Sequence, residues 1–541
     1  MKKLQVLSAI ALLSVATLVG CGKKEEEEHV DKTKAQLTIS TYEGGVGKKW
    51  LENAARLFEE ANKNRTDYQE GRTGIQIHIQ MDRAVGGGNL EVADLKRDMY
   101  FTENVDYYKL TQKNKLADIT DILTEENEED GGKRIIDKID SNLVEFMNRG
   151  TEENKKIYAV PFYDCIYGLV YDKDLFKENG FYLTDDGEQA FDEADYGTGP
   201  NGVAGDWDDG LPKTYAQFEN LMNIIVDAEV IPFTYAKGIS KEYTTRALVS
   251  WWSDYEGYED TQLNFSFSGT AHHIVSSISG RTATITEKNI TKNNGLELRK
   301  QAGVFYALDF ARNVLTKKNS YYYSKPSSNY DAQKVFVKNK YIGGSNKPIA
   351  MLFEGNWWEN EAKSSFEDVL NNYDPNAKFN YGFMAIPKVD EDHIGDATFT
   401  NLNRSFGFIK RNTKNMKQAK EFFKFLHTDA QLKAFTLETN MTRGLKYSFS
   451  EEELSRVSTY AQDLMSIKQS EHAKIVYPYS GHSFFINNAS TFDTQNWVLG
   501  TKTLTSDPII KFIGDKNVTA KQYFDAHVAA LTRDEWEIII S

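Results

Sequence analysis

Between residues 36 and 104 the chain switches repeatedly between two periodicities, and this constrains its fold more than any other feature. "QLTIST" (36–41) is a short β-type run, and the glycine-rich turn "YEGGVG" (42–47) separates it from "KKWLENAARLFEEANK" (48–63). In that segment Trp50, Ala54, Leu57, Phe58 and Ala61 recur at helical spacing. "GIQIHIQM" (74–81) alternates as a strand does, with Ile75, Ile77 and Ile79 on one face, and a helical stretch over 90–97 leads to "DMYFTEN" (98–104). Strand–helix–strand–helix order predicts an α/β lobe with a largely parallel sheet.

One such lobe cannot use all 541 residues, so two or more are expected. The centre is more helical: Thr214 and Gln217 form a capping pattern that opens an amphipathic helix over 208–228. "NKPIAMLFEGNWWENEA" (346–362) then reads as strand, tight turn and helix. "KNMKQAKEFFKFLHTDAQLKAF" (414–435) reads as a helix pair, and Ser450 with Glu453 repeats the capping box. Because α/β patterning resumes after the helical centre, the lobes are expected to be discontinuous. Crossings between them are expected near 160–165, 388–398 and 440–446.

The N-terminus and the charge restrict the setting. A basic start, the apolar run "LQVLSAIALLSVATLV" (4–19) and "LVGC" (18–21) resemble a bacterial lipoprotein signal, with Cys21 as the acylated residue. A plain secretory signal or a membrane anchor is the alternative. Residues 22–34 are polar and charged, as a flexible tether should be. The net charge of −15 excludes the basic stripe of a nucleic-acid binder. With only Cys21 and Cys165 present, acylation at Cys21 leaves no internal disulfide and no cysteine metal site, and Cys165 is expected to be a buried hydrophobe.

Ligands of open parallel sheets sit beyond the carboxyl ends of the strands. Three loops have that position: Tyr42–Gly47, Thr102–Asn104 and Glu354–Trp357. Asn356 is expected to cap the helix that follows, with Glu359 as its box partner, which puts Trp357 in the first turn. A helix turns about 100° per residue, so Trp357 and Trp358 cannot share a face. One ring should point into a cleft and the other into its own lobe.

"EGGVGKK" (43–49) fails the phosphate-loop pattern and reads as a tight turn or a close backbone approach to a ligand. "GDWDDGLP" (205–212) approximates a calcium loop, but Gly210 comes one position early and Gln217 replaces the closing Glu. An acidic surface turn is the expected reading and metal binding the alternative. No HExxH, GxSxG or Cys/His cluster occurs, and no motif singles out a glycosidase-type carboxylate pair.

Several segments in order resemble the extracellular solute-binding proteins of ABC-type sugar importers, the group that includes maltose-binding protein. They are the lipobox, "KKIYAVPFYDCIYGLVYDKDLFKENGFY" (155–182), "IAMLFEGNWW" (349–358), "YGFMAIPK" (381–388), 405–435 and "TRGLKYSFSEEEL" (442–454). The resemblance covers about 36–480 and implies a type II-like, two-lobed periplasmic-binding-protein fold of class α/β. Each lobe would be a largely parallel sheet flanked by helices, with the ligand cleft between lobes. The implied division is a signal peptide (1–20), a tether (21–35), a first lobe from 36–160 and 393–442, and a second from 161–392 and 443–541.

Carried over, Trp357 would stack on a sugar ring, and Glu43, Gly44, Gly45, Glu103 and Asn104 would give first-lobe contacts. Trp251, Trp252 and Tyr255 would be second-lobe aromatics, and Tyr479 a weaker correspondence. "TEN" (102–104) replaces an aromatic-bearing stretch of maltose-binding protein, and 184–210 is longer than the usual connection. The implied function is non-enzymatic, without cofactor or resident metal: a monomer, lipid-anchored on the extracellular or periplasmic face, captures a carbohydrate of oligosaccharide type for an ABC permease. A surface glycan-degrading enzyme and a glycan sensor without a transport role are the alternatives.

Overall fold

A computed structural model describes residues 30–541, except 43–44, 82–94, 104, 152, 239–241, 403 and 505–506. The expected signal peptide, Cys21 and most of the helical stretch over 90–97 lie outside the described residues. Residues 95–98 are not helical.

The first sheet has five strands. Ala35–Thr41 runs parallel to Ile75–Met81 on one side and to Met99–Thr102 on the other. Phe406–Ile409 adds antiparallel to Met99–Thr102, and Val160–Pro161 closes the edge. The expected isoleucine face is buried at Ile75, Ile77 and Ile79. Helix Lys49–Ala61 buries Trp50, Ala54 and Phe58 of the expected stripe, with Leu51 and Ala55 beside them, but leaves Leu57 and Ala61 exposed, and it meets two helices from far along the chain, Met416–Leu426 and Asp429–Thr439. The contacts are aromatic: Phe58 to Phe422 at 5.1 Å and Trp50 to Phe435 at 5.2 Å. Edge-on ring pairs of this kind bury large areas with a favourable geometry.

The second sheet also has five strands, in the order Tyr322–Tyr323, Ile231–Thr234, Ile349–Gly355, Tyr167–Asp172, Tyr381–Phe383. Ile349–Gly355 pairs parallel to Ile231–Thr234 and antiparallel to Tyr167–Asp172, and all seven of its residues are buried. A near-continuous apolar run is what a strand covered on both faces requires. The helix Glu242–Ser266 is interrupted at Gly257, whose φ of +75° leaves the helical region. The capping box at Ser450 and Glu453 forms as expected. At Thr214 the side chain caps Gln217 N–H, but Gln217 Oε1 accepts from Lys213 N–H instead of closing the box.

The fold is two-lobed, and the segments joining the sheets lie side by side. Phe162 N–H donates to Ser405 O at 3.0 Å, Asp164 N–H to Thr442 O at 3.0 Å, and Leu402 N–H to Cys165 O at 2.8 Å. Asp164 is fully buried here and accepts from Thr442 Oγ1, Lys468 Nζ and Tyr477 OH at 2.8–2.9 Å. Cys165 is a buried free thiol. The second crossing differs from the expected 388–398. Strand Ala397–Thr400 pairs parallel with Ala473–Val476, so the chain returns toward the first sheet only over 401–405, later than a boundary at 393. The loop-like "KVDEDHIGDAT" runs into this strand, whose partner lies over seventy residues downstream, which no local pattern announces.

Candidate functional site

The loop that follows strand Ala35–Thr41 meets the turn that follows strand Ile349–Gly355 across the two lobes. Asn356 does not cap a helix: its amide donates to Asp164 O at 2.8 Å, its N–H to Ile166 O at 3.1 Å, and Trp357 takes the N-cap position without a side-chain bond. Its expected partner Glu359 accepts from Ser458 Oγ at 2.5 Å instead. A tertiary contact to the crossing segment wins over the local capping pattern.

This turn sets the tryptophan pair back to back. Trp358 is fully buried in its own lobe, with Tyr381, Phe336, Phe366 and Tyr460 around it at 4.9–5.8 Å. Trp357 points toward the other lobe and is 6% exposed. Tyr167 and Tyr243 meet its ring edge-on at 4.8 and 5.7 Å. Two glycines let backbone lie against the indole. A Cβ on Gly355 would stand 2.0 Å from the ring, and one on Gly45, whose φ is +81°, would stand 3.1 Å from Trp357 Cβ. Gly45 belongs to the first lobe, and its carbonyl also accepts from Asn360 Nδ2. The glycine turn is thus a close backbone approach, here to an aromatic side chain.

Carboxylates support the turn. Glu354 and Glu361 both accept from Gln333 Nε2, at 3.0 and 2.7 Å. Burial, then the neighbouring Glu361, pushes the Glu354 carboxyl well above its usual range. Glu359 is 8% exposed, and burial pushes its carboxyl up to about 7 against the bonds from Ser458 and from first-lobe Asn440.

A carboxyl raised in the folded state stabilises fully below its unfolded pKa near 4.5 and loses that contribution as pH rises through about 7. The shift corresponds to about 2–4 kcal/mol. We expect the melting temperature of the wild type to fall several degrees relative to Glu359→Gln between pH 5 and 8. Parallel pH profiles for the two proteins would show that Glu359 is not the titrating group.

Beside Tyr167 a cavity opens between the lobes. Its walls are Tyr108 and Phe146 from the first lobe, and Tyr479, Phe485 and Phe492 from the C-terminal part, with Arg246, Arg404, Asp106, Asp493 and Gln495 at its polar positions. Arg246 joins this cavity to the tryptophan: its guanidinium bonds Tyr167 OH and reaches Gln495 Oε1 at 3.2 Å, while Tyr167 packs on Trp357. Tyr479 lies 4.5 Å from Phe146.

The structure brings together Gly45, Trp357 and, through Tyr167 and Arg246, Tyr479. Glu103 stands at the end of its strand and accepts from Tyr163 OH. Glu43, Gly44 and Asn104 lie outside the described residues. Trp251, Trp252 and Tyr255 are placed elsewhere than in the cleft. Trp251 stacks on Phe310 at 5.2 Å, and Trp252 donates to Gln301 Oε1 at 3.2 Å in the lobe interior. Tyr255 packs between Tyr306 and His393. On the same helix Arg246 and Ser250, one turn apart, hold Tyr167 through its hydroxyl and its carbonyl. An i, i+4 polar pair next to an aromatic run is the signal that could have found Arg246.

The model of the bacterial extracellular solute-binding protein family matches residues 41–433. Among solved structures, the apo-form of RafE from Streptococcus pneumoniae is 13% identical, with a TM-score of 0.50, over 95% of this chain and 100% of that one. A protein from a study of xylan utilization by Caldanaerobius polysaccharolyticus is 13% identical, with a TM-score of 0.52, over 92% of this chain and 100% of its own. At such identities the likeness is one of fold. No curated protein matches the sequence.

Proposed function

Because the chain belongs to the bacterial extracellular solute-binding proteins, we propose that it captures a carbohydrate of oligosaccharide size between its lobes and presents it to the permease of an ABC importer. The observation that carries this reading is the interlobe cavity, where six aromatic rings, Tyr107 among them, share the lining with Arg, Asp and Gln side chains. Sugars offer apolar C–H faces ringed by hydroxyls, and such a lining matches both. The first site would comprise Trp357, Tyr167, Arg246 and Tyr479, with Gly45 and Glu103 approaching from the first lobe. The parallel crossings at 162–165, 401–405 and 442–443 form the hinge, and the Gly45–Trp357, Gly45–Asn360 and Asn440–Glu359 contacts form across the closing face. Ligand contacts favour the closed arrangement, and the permease reads that state.

Acylation at Cys21 in "LVGC" would hold the protein to the outer face of the membrane. Among the described residues no helix is long and apolar enough to cross it. A binding role without covalent chemistry is supported by the family, which is one of solute-binding proteins.

A melting screen across a glycan panel tests the reading, since specific binding stabilises by mass action. One class of oligosaccharide should raise the melting temperature, and scattering curves at saturation should show compaction. A panel without any stabilising glycan would reject the carbohydrate assignment, and release of new reducing ends would replace it with an enzyme.

A further inference from the structure

Asp206, Asp208 and Asp209 lie in the loop between Gly199 and Gly210, remote in sequence from every residue of the cleft. One carboxylate oxygen from each lies within 4.8 Å of the others. That separation is what two oxygens reach when both touch one calcium ion at about 2.4 Å. The loop supplies donors to one side of the cluster. Asn201 N–H donates to Asp208 Oδ2 at 3.0 Å, Asn201 Nδ2 to Asp206 Oδ2 at 2.6 Å, and Gly205 N–H to Asp209 Oδ2 at 2.7 Å.

What remains points to a ligand. Asp208 Oδ1 and Asp209 Oδ1 are buried without a hydrogen-bond partner among the described residues, and Asp208 is 1% exposed. A buried carboxylate is costly unless paired with a cation or neutralised. None of the three makes an ion pair among the described residues, and Lys213, which follows the loop, is held by Asp185 at 2.6 Å. The other acidic cluster, Glu256 and Asp260 with His273, differs on this point: its carboxylates accept from Gly303 N–H and from His272 and His273.

We propose that Asp206, Asp208 and Asp209 bind a divalent cation, calcium in preference to magnesium or zinc, and that it pins this loop to the segment entering the second crossing. All donors are oxygens, which disfavours zinc, and an irregular loop does not enforce the octahedron that magnesium demands. The pinned segment is specific. Gly395 N–H donates to Pro200 O at 3.2 Å, and Trp207 packs 6.5 Å from Phe399, in the strand that runs directly into 401–405. Extracellular calcium modules work with dissociation constants of about 10⁻⁴–10⁻³ M, so millimolar calcium would fill the site.

The purified protein, stripped with EDTA, would be titrated with CaCl2 by calorimetry and melted in EDTA, CaCl2 and MgCl2. The expected result is one calcium per chain and a rise of at least about 3 °C in 5 mM CaCl2, with a smaller rise in MgCl2. Asp208→Asn and Asp206→Asn should each fold, bind a glycan ligand as the wild type does, and lose the calcium-dependent shift. Equal melting of the wild type in EDTA and CaCl2, with no binding heat, would overturn the proposal. Equally, an Asp208→Asn protein that melts above the wild type whatever the calcium level would show that a shared proton neutralises the cluster.

Discussion

Replacing Trp358 with alanine is expected to lower the stability of the protein by about 3–5 kcal/mol while leaving glycan affinity within about threefold of the wild type. The ring is fully buried, and its four aromatic neighbours stand edge-on or nearly so. Its indole N–H has no hydrogen-bond partner among the described residues, so the loss is one of packing and of cavity formation. Nothing small can collapse into the gap, because Tyr381 belongs to a sheet strand and Tyr460 to the helix Thr459–Gln469. Against a total stability of about 5–15 kcal/mol this is a large fraction. Urea unfolding should show a lower midpoint with an unchanged slope. A midpoint shifted by less than about 1 kcal/mol would mean that the lobe repacks around the gap.

The fold was legible where one face of an element decides its burial. Period-2 isoleucines place themselves, as do Trp50, Ala54 and Phe58 of helix Lys49–Ala61, and the serine–glutamate box at 450–453 needs nothing beyond its own chain. Position relative to the cleft was another matter. Trp251 and Trp252 belong to a helix buried on most sides, where Ser250, Ser253 and Asp254 are also sequestered, so aromatic residues there do not mark a surface. Sequence shows that a helix is rich in rings but not which neighbour covers them. The cavity wall formed by Phe485, Phe492 and Gln495 comes from two short C-terminal helices and the turn between them, which lack a long periodic pattern. Asn356 shows the same limit from the other side: its local pattern is that of a cap, and a carbonyl 192 residues away took the side chain.

Trp357→Ala is expected to weaken glycan binding by ten- to a hundredfold, or about 1–3 kcal/mol. The indole is shared between lobes, with Tyr167, Tyr243 and Gly355 on its own side and Gly45 on the other. Opening the hinge would withdraw Gly45 and leave the ring as the face a sugar first meets. Truncation therefore removes a stacking surface, loosens the closed state, and frees Tyr167, which Arg246 holds against the cavity. These effects fall on the ligand-bound, closed form more than on the open one. The apo melting temperature should drop by less than it does in Trp358→Ala, although the two residues are adjacent and alike. Calorimetry and thermal melts on both variants separate the readings. If Trp357→Ala binds glycan within twofold of the wild type and melts as low as Trp358→Ala, the ring is a packing residue of its lobe. The ligand would then belong to the Tyr479 cavity alone, where Tyr479→Ala and Arg246→Ala should carry the loss instead.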